Sequence, residues 1–332
     1  MKRHLATLLK IGISVAILAY LIREALRDPE AVERLRTDPK NWGLLLSAWA
    51  VCAIGVAMTM VRWWYLATAV ELPLSLRNAF RIGFWGYLFN LAPMGIVGGD
   101  LIKALMLVRE HSDQRTRAVA TMVADRVIGL YVVFVVLASA ILLLGFWNHA
   151  NADIRWACRI AVAVTGAATV GVVVWFNAGA GTGRMVQALT RLPRIGGLVQ
   201  KLINASQMYH QRPGVLLVSG VVSVGVHGLF ALGIYLIALG LPGQTPMLSE
   251  HFVVVPMSTV ASMIPLPAGP QEGTIQYLYA QLGGSGTKGL VVGLTYRIIT
   301  ILIALVGVCY YIGARREIAQ VIHQVEEEDS PD

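Results

Sequence analysis

The chain has 332 residues, of which 56% are hydrophobic and 14% charged, with a mean hydropathy of +0.64 and a formal net charge of +8. Soluble domains carry about 25% charged residues, so this composition excludes a soluble globular protein and points to an all-α polytopic membrane protein. The basic excess is spread over many short loops without an aromatic-interleaved patch, which excludes nucleic acid as a partner and fits topology signals and contacts with anionic headgroups.

Apolar windows near the length needed to span, about 20 residues, lie at roughly 5–22, 43–61, 127–147, 157–176, 214–241 and 289–313. Two shorter windows lie at 79–97 and 252–268. Residues 1–42 read as a first span and an external loop. Lys2 and Arg3 precede the run at 5–22, which is longer than a signal-peptide core of about 7–15 residues and has no A-x-A site after it. An uncleaved helix is expected.

Residues 43–147 form a first half, made of a span, a short window and a second span. Arg62 stands beside Trp63, Trp64 and Tyr65 and reads as a snorkelling arginine in an interfacial aromatic belt. The short window ends on Pro93-Met94-Gly95-Ile96-Val97-Gly98-Gly99-Asp100. Pro93 breaks the helix, and Asn90 is expected to satisfy backbone groups that the break frees. Gly98 and Gly99 release backbone N–H groups ahead of the helical run from Leu101. Asp100 then serves either as an N-cap or as a carboxylate at a re-entrant tip, pairing with a cation or taking up a proton. Lys103 follows three positions on. Arg126, next to Asp125 at the cytoplasmic end of the second span, reads as a snorkelling arginine bridged to Asp125 or as a headgroup ligand.

Residues 148–213 hold the span at 157–176 and a basic amphipathic segment at 184–211, which suits a helix on the inner membrane surface. Residues 214–313 repeat the order of the first half. Their short window ends on Pro265-Leu266-Pro267-Ala268-Gly269-Pro270-Gln271-Glu272. In both places a carboxylate follows a proline by seven positions, with glycine between, and an arginine follows 25 or 26 residues later, at Arg297 and Arg126. Broken backbone and charge inside hydrocarbon are unfavourable, so their recurrence marks a functional site. Pro265, Pro267 and Gly269 are the counterpart break. Arg297 lies about nine residues into its span, where an arginine costs roughly 2.5–3.5 kcal/mol on insertion scales. It needs a partner: Glu272, Asp100 or a lipid phosphate, which a guanidinium grips as a bidentate fork. His227, mid-span, reads as a packing histidine or a proton relay. The tail at 314–332 is acidic, and disorder is expected there.

Cys52, Cys158 and Cys309 sit in apolar spans with neither metal nor disulfide spacing. No nucleotide loop, Ser/His/Asp set or metal cluster is visible, so neither a cofactor nor an enzymatic activity is expected. With the N-terminus in the cytoplasm and the short windows re-entering, 18 of the 27 basic residues fall inside, 8 outside, and Arg297 within a span, as the positive-inside rule requires. The two halves then have the same parts in opposite orientations, the inverted-repeat pattern of alternating-access transporters. Asp100, Arg126, Glu272 and Arg297, with Asn90, Lys103 and Asp125, are expected to line a midplane site.

The run from Phe89 to Ala104, with its asparagine, proline, Val97-Gly98-Gly99-Asp100 and Lys103, followed by Asp125-Arg126-Val127-Ile128-Gly129-Leu130, resembles the lysylphosphatidylglycerol synthase transmembrane-region family. In the second half, the proline and glutamate of that family's pattern are kept as Pro265 and Glu272, with Ala268-Gly269-Pro270 where more glycines are usual. The resemblance covers most of the chain. It implies a flippase-like protein of the bacterial inner membrane, without the soluble aminoacyl-transfer domain; the charge count above puts both termini in the cytoplasm. Its implied partners are membrane lipids, anionic or aminoacylated, and a separate lipid-synthesis enzyme. The alternative it leaves open is an enzyme or accessory factor in glycolipid or polyprenyl-lipid assembly.

Overall fold

A computed structural model describes residues 2–90, 96–110, 112–178 and 196–313. Among these residues there is no strand, and twelve α-helices carry the chain. They are α1 (Lys2–Ala25), α2 (Pro29–Thr37), α3 (Trp42–Ala69), α4 (Leu76–Phe89), α5 (Ile96–Glu110), α6 (Arg115–Leu143), α7 (Ala152–Ala178), α8 (Gly196–His210), α9 (Pro213–Gly240), α10 (Leu248–Ala261), α11 (Pro270–Gln281) and α12 (Gly286–Gly313). Helices α3, α6, α7, α9 and α12 are long and apolar enough to cross a membrane. The protein is therefore a polytopic all-α membrane protein. Side chains such as Val170, Val173, Leu217 and Val221 stand exposed on the outer faces of α7 and α9, as lipid contact demands.

The helices are longer than the hydropathy windows. Helix α6 begins at Arg115 rather than near residue 127, and α3 continues through Arg62 to Ala69. Charged residues lower a hydropathy average without breaking a helix, since arginine is itself a good helix former. Asp125 and Arg126 consequently lie inside α6, not at its end. The segment between α1 and α3 also holds a helix, α2, whose N-cap Asp28 accepts from Ala31 N at 3.0 Å with Pro29 in the first turn.

Helices α4, α5, α10 and α11 have 14, 15, 14 and 12 residues. At 1.5 Å per residue they reach about 18–22 Å, short of a hydrocarbon core of about 30 Å. Each consecutive pair packs together as a hairpin. In the first, α4 and α5 approach so closely that a Cβ on Gly99 would stand 2.0 Å from Gly86 O. The break itself, with Pro93, lies in residues 91–95, outside the described residues. Helix α5 begins at Ile96, so Asp100 is inside the helix rather than its N-cap. The second break is described throughout: residues 262–269, with Pro265 and Pro267, join α10 to α11. Residues 184–195 of the basic segment and the tail beyond 313 lie outside the described residues.

Helices α3 to α6 recur as α9 to α12 at a nearly constant offset. Trp42 to Pro213 and Arg115 to Gly286 are each 171 residues; Leu76 to Leu248 is 172 and Ile96 to Pro270 is 174. Arg126 and Arg297 are each the twelfth residue of their helix. Contacts give the directions. Asn41 N donates to Gly240 O, Cys52 meets Gly233, and Gly55 meets Phe230, so α3 and α9 run antiparallel. The first hairpin follows the C-terminal end of α3, the second that of α9, so the two enter the bundle from opposite ends. Helix α4 packs on α12, and α10 on α6.

Small residues set the α3–α9 spacing, as in many membrane helix pairs. A Cβ on Gly233 would lie 2.4 Å from Cys52 Sγ. Gly233→Ala is therefore expected to destabilise the protein by about 1–3 kcal/mol through overpacking. Cys52→Ala in the same chain should return most of that loss, as thermal unfolding in detergent would read.

Candidate functional site

The second break builds its site from backbone outward. Gly269 has φ +112°, a conformation that side-chain-bearing residues rarely adopt, and a Cβ there would stand 2.6 Å from Ile17 Cγ2 of α1. This turn starts α11 and aims Glu272 back at it. Glu272 Oε2 accepts from Gly269 N at 2.8 Å, which closes the first turn of the helix. Its other oxygen, Oε1, accepts from Arg297 Nε of α12. Arg297 Nη1 then donates to Pro267 O at 3.0 Å. Capping and ion pairing are thus both realised, one on each carboxylate oxygen.

Glu272 is 1% exposed, whereas the Arg297 side chain is 27% exposed. The carboxylate is sealed, and the guanidinium keeps one side open. Gly293 lets α12 come close enough for this, since a Cβ there would meet Glu272 Cα at 3.2 Å. Tyr87, from α4 of the first hairpin, and Tyr296 lie within electrostatic reach of Arg297. Helix α1 covers the tip, with Leu21 against Gly273 and Ser14 Oγ accepting from Ala268 N at 3.4 Å.

The first half assembles a second charged group. Lys103, Asp125 and Arg126 line one small pocket with Trp63 and Met122. Lys103 Nζ stands over the Trp63 ring, 5.9 Å from its centroid. Arg126 is exposed. The Asp100 side chain lies outside the described residues; its backbone is one turn of α5 before Lys103. Asn90 caps α4 and presses its amide oxygen against the backbone of Gly99. That oxygen is buried and has no donor among the described residues, and the backbone groups of the break itself lie outside them.

Asp125 pairs with Arg62, not with Arg126. Arg62 Nε donates to Asp125 Oδ1 at 2.8 Å, Nη1 to Ser223 Oγ at 2.6 Å, and Nη2 to Asp125 O at 3.3 Å. Arg62 is 6% exposed, so the reading of it as an interfacial snorkelling residue is corrected: it is a buried cation joining α3, α6 and α9. Nothing in the local sequence separates the two cases, because its partners are 63 and 161 positions away. Gly129 makes room for it, and His227 Nε2 lies 3.3 Å from Gly129 O as a packing group.

Sequence-predicted residues therefore fall into two groups. Glu272, Arg297, Pro267 and Gly269 meet at one hairpin tip; Lys103, from α5 of the other hairpin, meets Asp125 and Arg126 of α6. Among the described residues no group of three or more His, Cys, Asp or Glu side chains could hold a metal ion. Arg297, Lys103 and Arg126 bring guanidinium and ammonium groups that suit a phosphate.

A family model described as lysylphosphatidylglycerol synthase TM region matches residues 7–307 of this chain. No curated protein and no solved structure matches it.

Proposed function

Because this chain belongs to the lysylphosphatidylglycerol synthase TM-region family, we propose that it moves a polar-headgroup phospholipid between leaflets of the bacterial inner membrane, without changing it chemically. One observation carries this reading: a sealed carboxylate, Glu272, at the tip of a broken helix, holds an arginine that lies mid-span with one side open. A charge at that depth is rare unless it faces a partner or a polar path. The recurrence of α3–α6 as α9–α12, with α3 antiparallel to α9, supports an inverted repeat, in which such tips from the two halves serve one path. Residues 43–147 and 214–313 are the two halves, and both termini are cytoplasmic.

In this mechanism the acyl tails stay in lipid while the headgroup crosses along α3, between the Arg126 group and the Arg297 group. Arg126, Lys103 and Arg297 hold the phosphate; Asp100, Asp125 and Glu272 hold an amine or a coupling proton. The Glu272–Arg297 pair alternates between its closed, mutually bonded form and a form in which the headgroup phosphate takes Arg297.

The test uses protein reconstituted into vesicles with a fluorescent phospholipid and a dithionite assay of leaflet exchange. Lys103→Ala and Arg126→Ala together are expected to slow exchange by about tenfold or more, equivalent to a loss of at least one charge-assisted hydrogen bond. Exchange at the parent rate would remove these residues from the path. Mass spectrometry of the lipid before and after should show no chemical change; a new lipid species would make the protein an enzyme instead.

A further inference from the structure

A separate cavity of about 220 Å³ opens where α9 ends and α12 begins, roofed by α2. Asp28, Glu30, Arg34, Gln244, Ser285 and Lys288 line it. Lys288 is 2% exposed, and its ammonium donates to Gly243 O at 2.6 Å and Thr245 Oγ1 at 2.7 Å. Both partners are neutral. Asp28 is likewise held by neutral donors, Ala31 N and Ser285 Oγ, each at 3.0 Å. Among the described residues no carboxylate lies within 4 Å of Lys288 and no cation within 4 Å of Asp28.

The protein thus fixes a buried cation and a carboxylate in the same cavity and keeps them apart. Removing an ion from water without a counter-ion is costly, and these two do not serve each other. At the rim, Arg34 and Glu30 form an exposed pair at 3.6 Å. Two cations and two carboxylates give the lining no net charge. A simple anion would meet Asp28 and Glu30, and a simple cation would meet Lys288 and Arg34. A ligand with both charges meets neither penalty.

We infer that this cavity binds a small zwitterion, its phosphate or carboxylate on Lys288 and Arg34 and its ammonium on Asp28 and Glu30. A phosphoethanolamine-type lipid headgroup and a free amino acid both have this chemistry. The site is distinct from the transport path: Lys288 is nine residues before Arg297 on α12, two and a half turns, about 13 Å along the helix and on its opposite side. Binding there stands whether or not the protein moves lipid.

The test is isothermal titration of the full chain in detergent with sn-glycero-3-phosphoethanolamine, free alanine, glycerol phosphate and ethanolamine. Binding of glycerophosphoethanolamine, with weaker binding of its two single-charge fragments, is the expected result, and assigns the ligand to lipid headgroups. Binding of alanine instead assigns it to free amino acids and equally supports a zwitterion site. Arg34→Ala and Glu30→Gln, both on an exposed rim where folding is not at risk, should each weaken binding about tenfold, and Lys288→Met more. If glycerol phosphate binds as well as the zwitterions, or no probe binds, or the rim variants bind like the parent, the inference is overturned. A parent protein that binds zwitterion but exchanges no lipid would count against the transport reading alone.

Discussion

Arg297→Ala is expected to abolish lipid exchange and to cost about 3–5 kcal/mol of stability, because it leaves the Glu272 carboxylate buried and unpaired. The loss in stability alone would not identify a functional pair. The informative variant is the double replacement Glu272→Gln with Arg297→Gln. A glutamine at 272 still accepts from Gly269 N, and two neutral amides remove the uncompensated charge, so most of the stability should return. Lipid exchange should not return, since no guanidinium is left to take a headgroup phosphate. Thermal unfolding in detergent reads the first outcome and the vesicle assay the second. A double variant that is stable and exchanges lipid at the parent rate would reduce the pair to a structural brace.

The second large effect is at Arg62. Arg62→Met removes a cation that is 6% exposed and bonded to both Asp125 and Ser223, and strands Asp125 at the junction of α3, α6 and α9. A loss of about 3–5 kcal/mol is expected. Arg126→Met, one residue from Asp125 but exposed, should cost less stability than Arg62→Met. The two arginines are thus separable: one holds helices together, and the other faces the pocket. Equal unfolding temperatures for Arg62→Met and the parent would contradict the buried network.

Much of the architecture was legible because the membrane leaves few options. Apolar windows gave the long helices, and Pro93 and Pro265 marked the two short ones, since only interrupted segments stop short of the span. The Glu272–Arg297 pair was legible too, from an arginine too deep to snorkel and a carboxylate with a matching break. Arg62 was not. Beside Trp63 and Trp64 it has the sequence of an interfacial anchor, and only the approach of α6 and α9 buries it. Lys288, which reads as a loop charge, is buried for a similar reason: α2 folds over it, and α2 itself is polar enough to pass for a loop. Its Asp28-Pro29-Glu30 start, an N-cap, a proline and a first-turn acid, was the available signal.

The single helix α7 has a consequence for the whole chain. Thr165 Oγ1 bonds Phe134 O and Tyr131 Oη bonds Thr169 Oγ1, so α7 runs back along α6; residues 125 and 129 of α6 face 223 and 227 of α9 in rising order, so α6 and α9 run together. One return pass therefore stands between the two four-helix units, and an odd number of passes is what turns the second unit over. Two returns, or none, would place both hairpins at the same end of the bundle. Parity is thus what that helix adds beyond its contacts with α6, and from Ala163 to Val174 its exposed face is free to be valine, alanine and glycine.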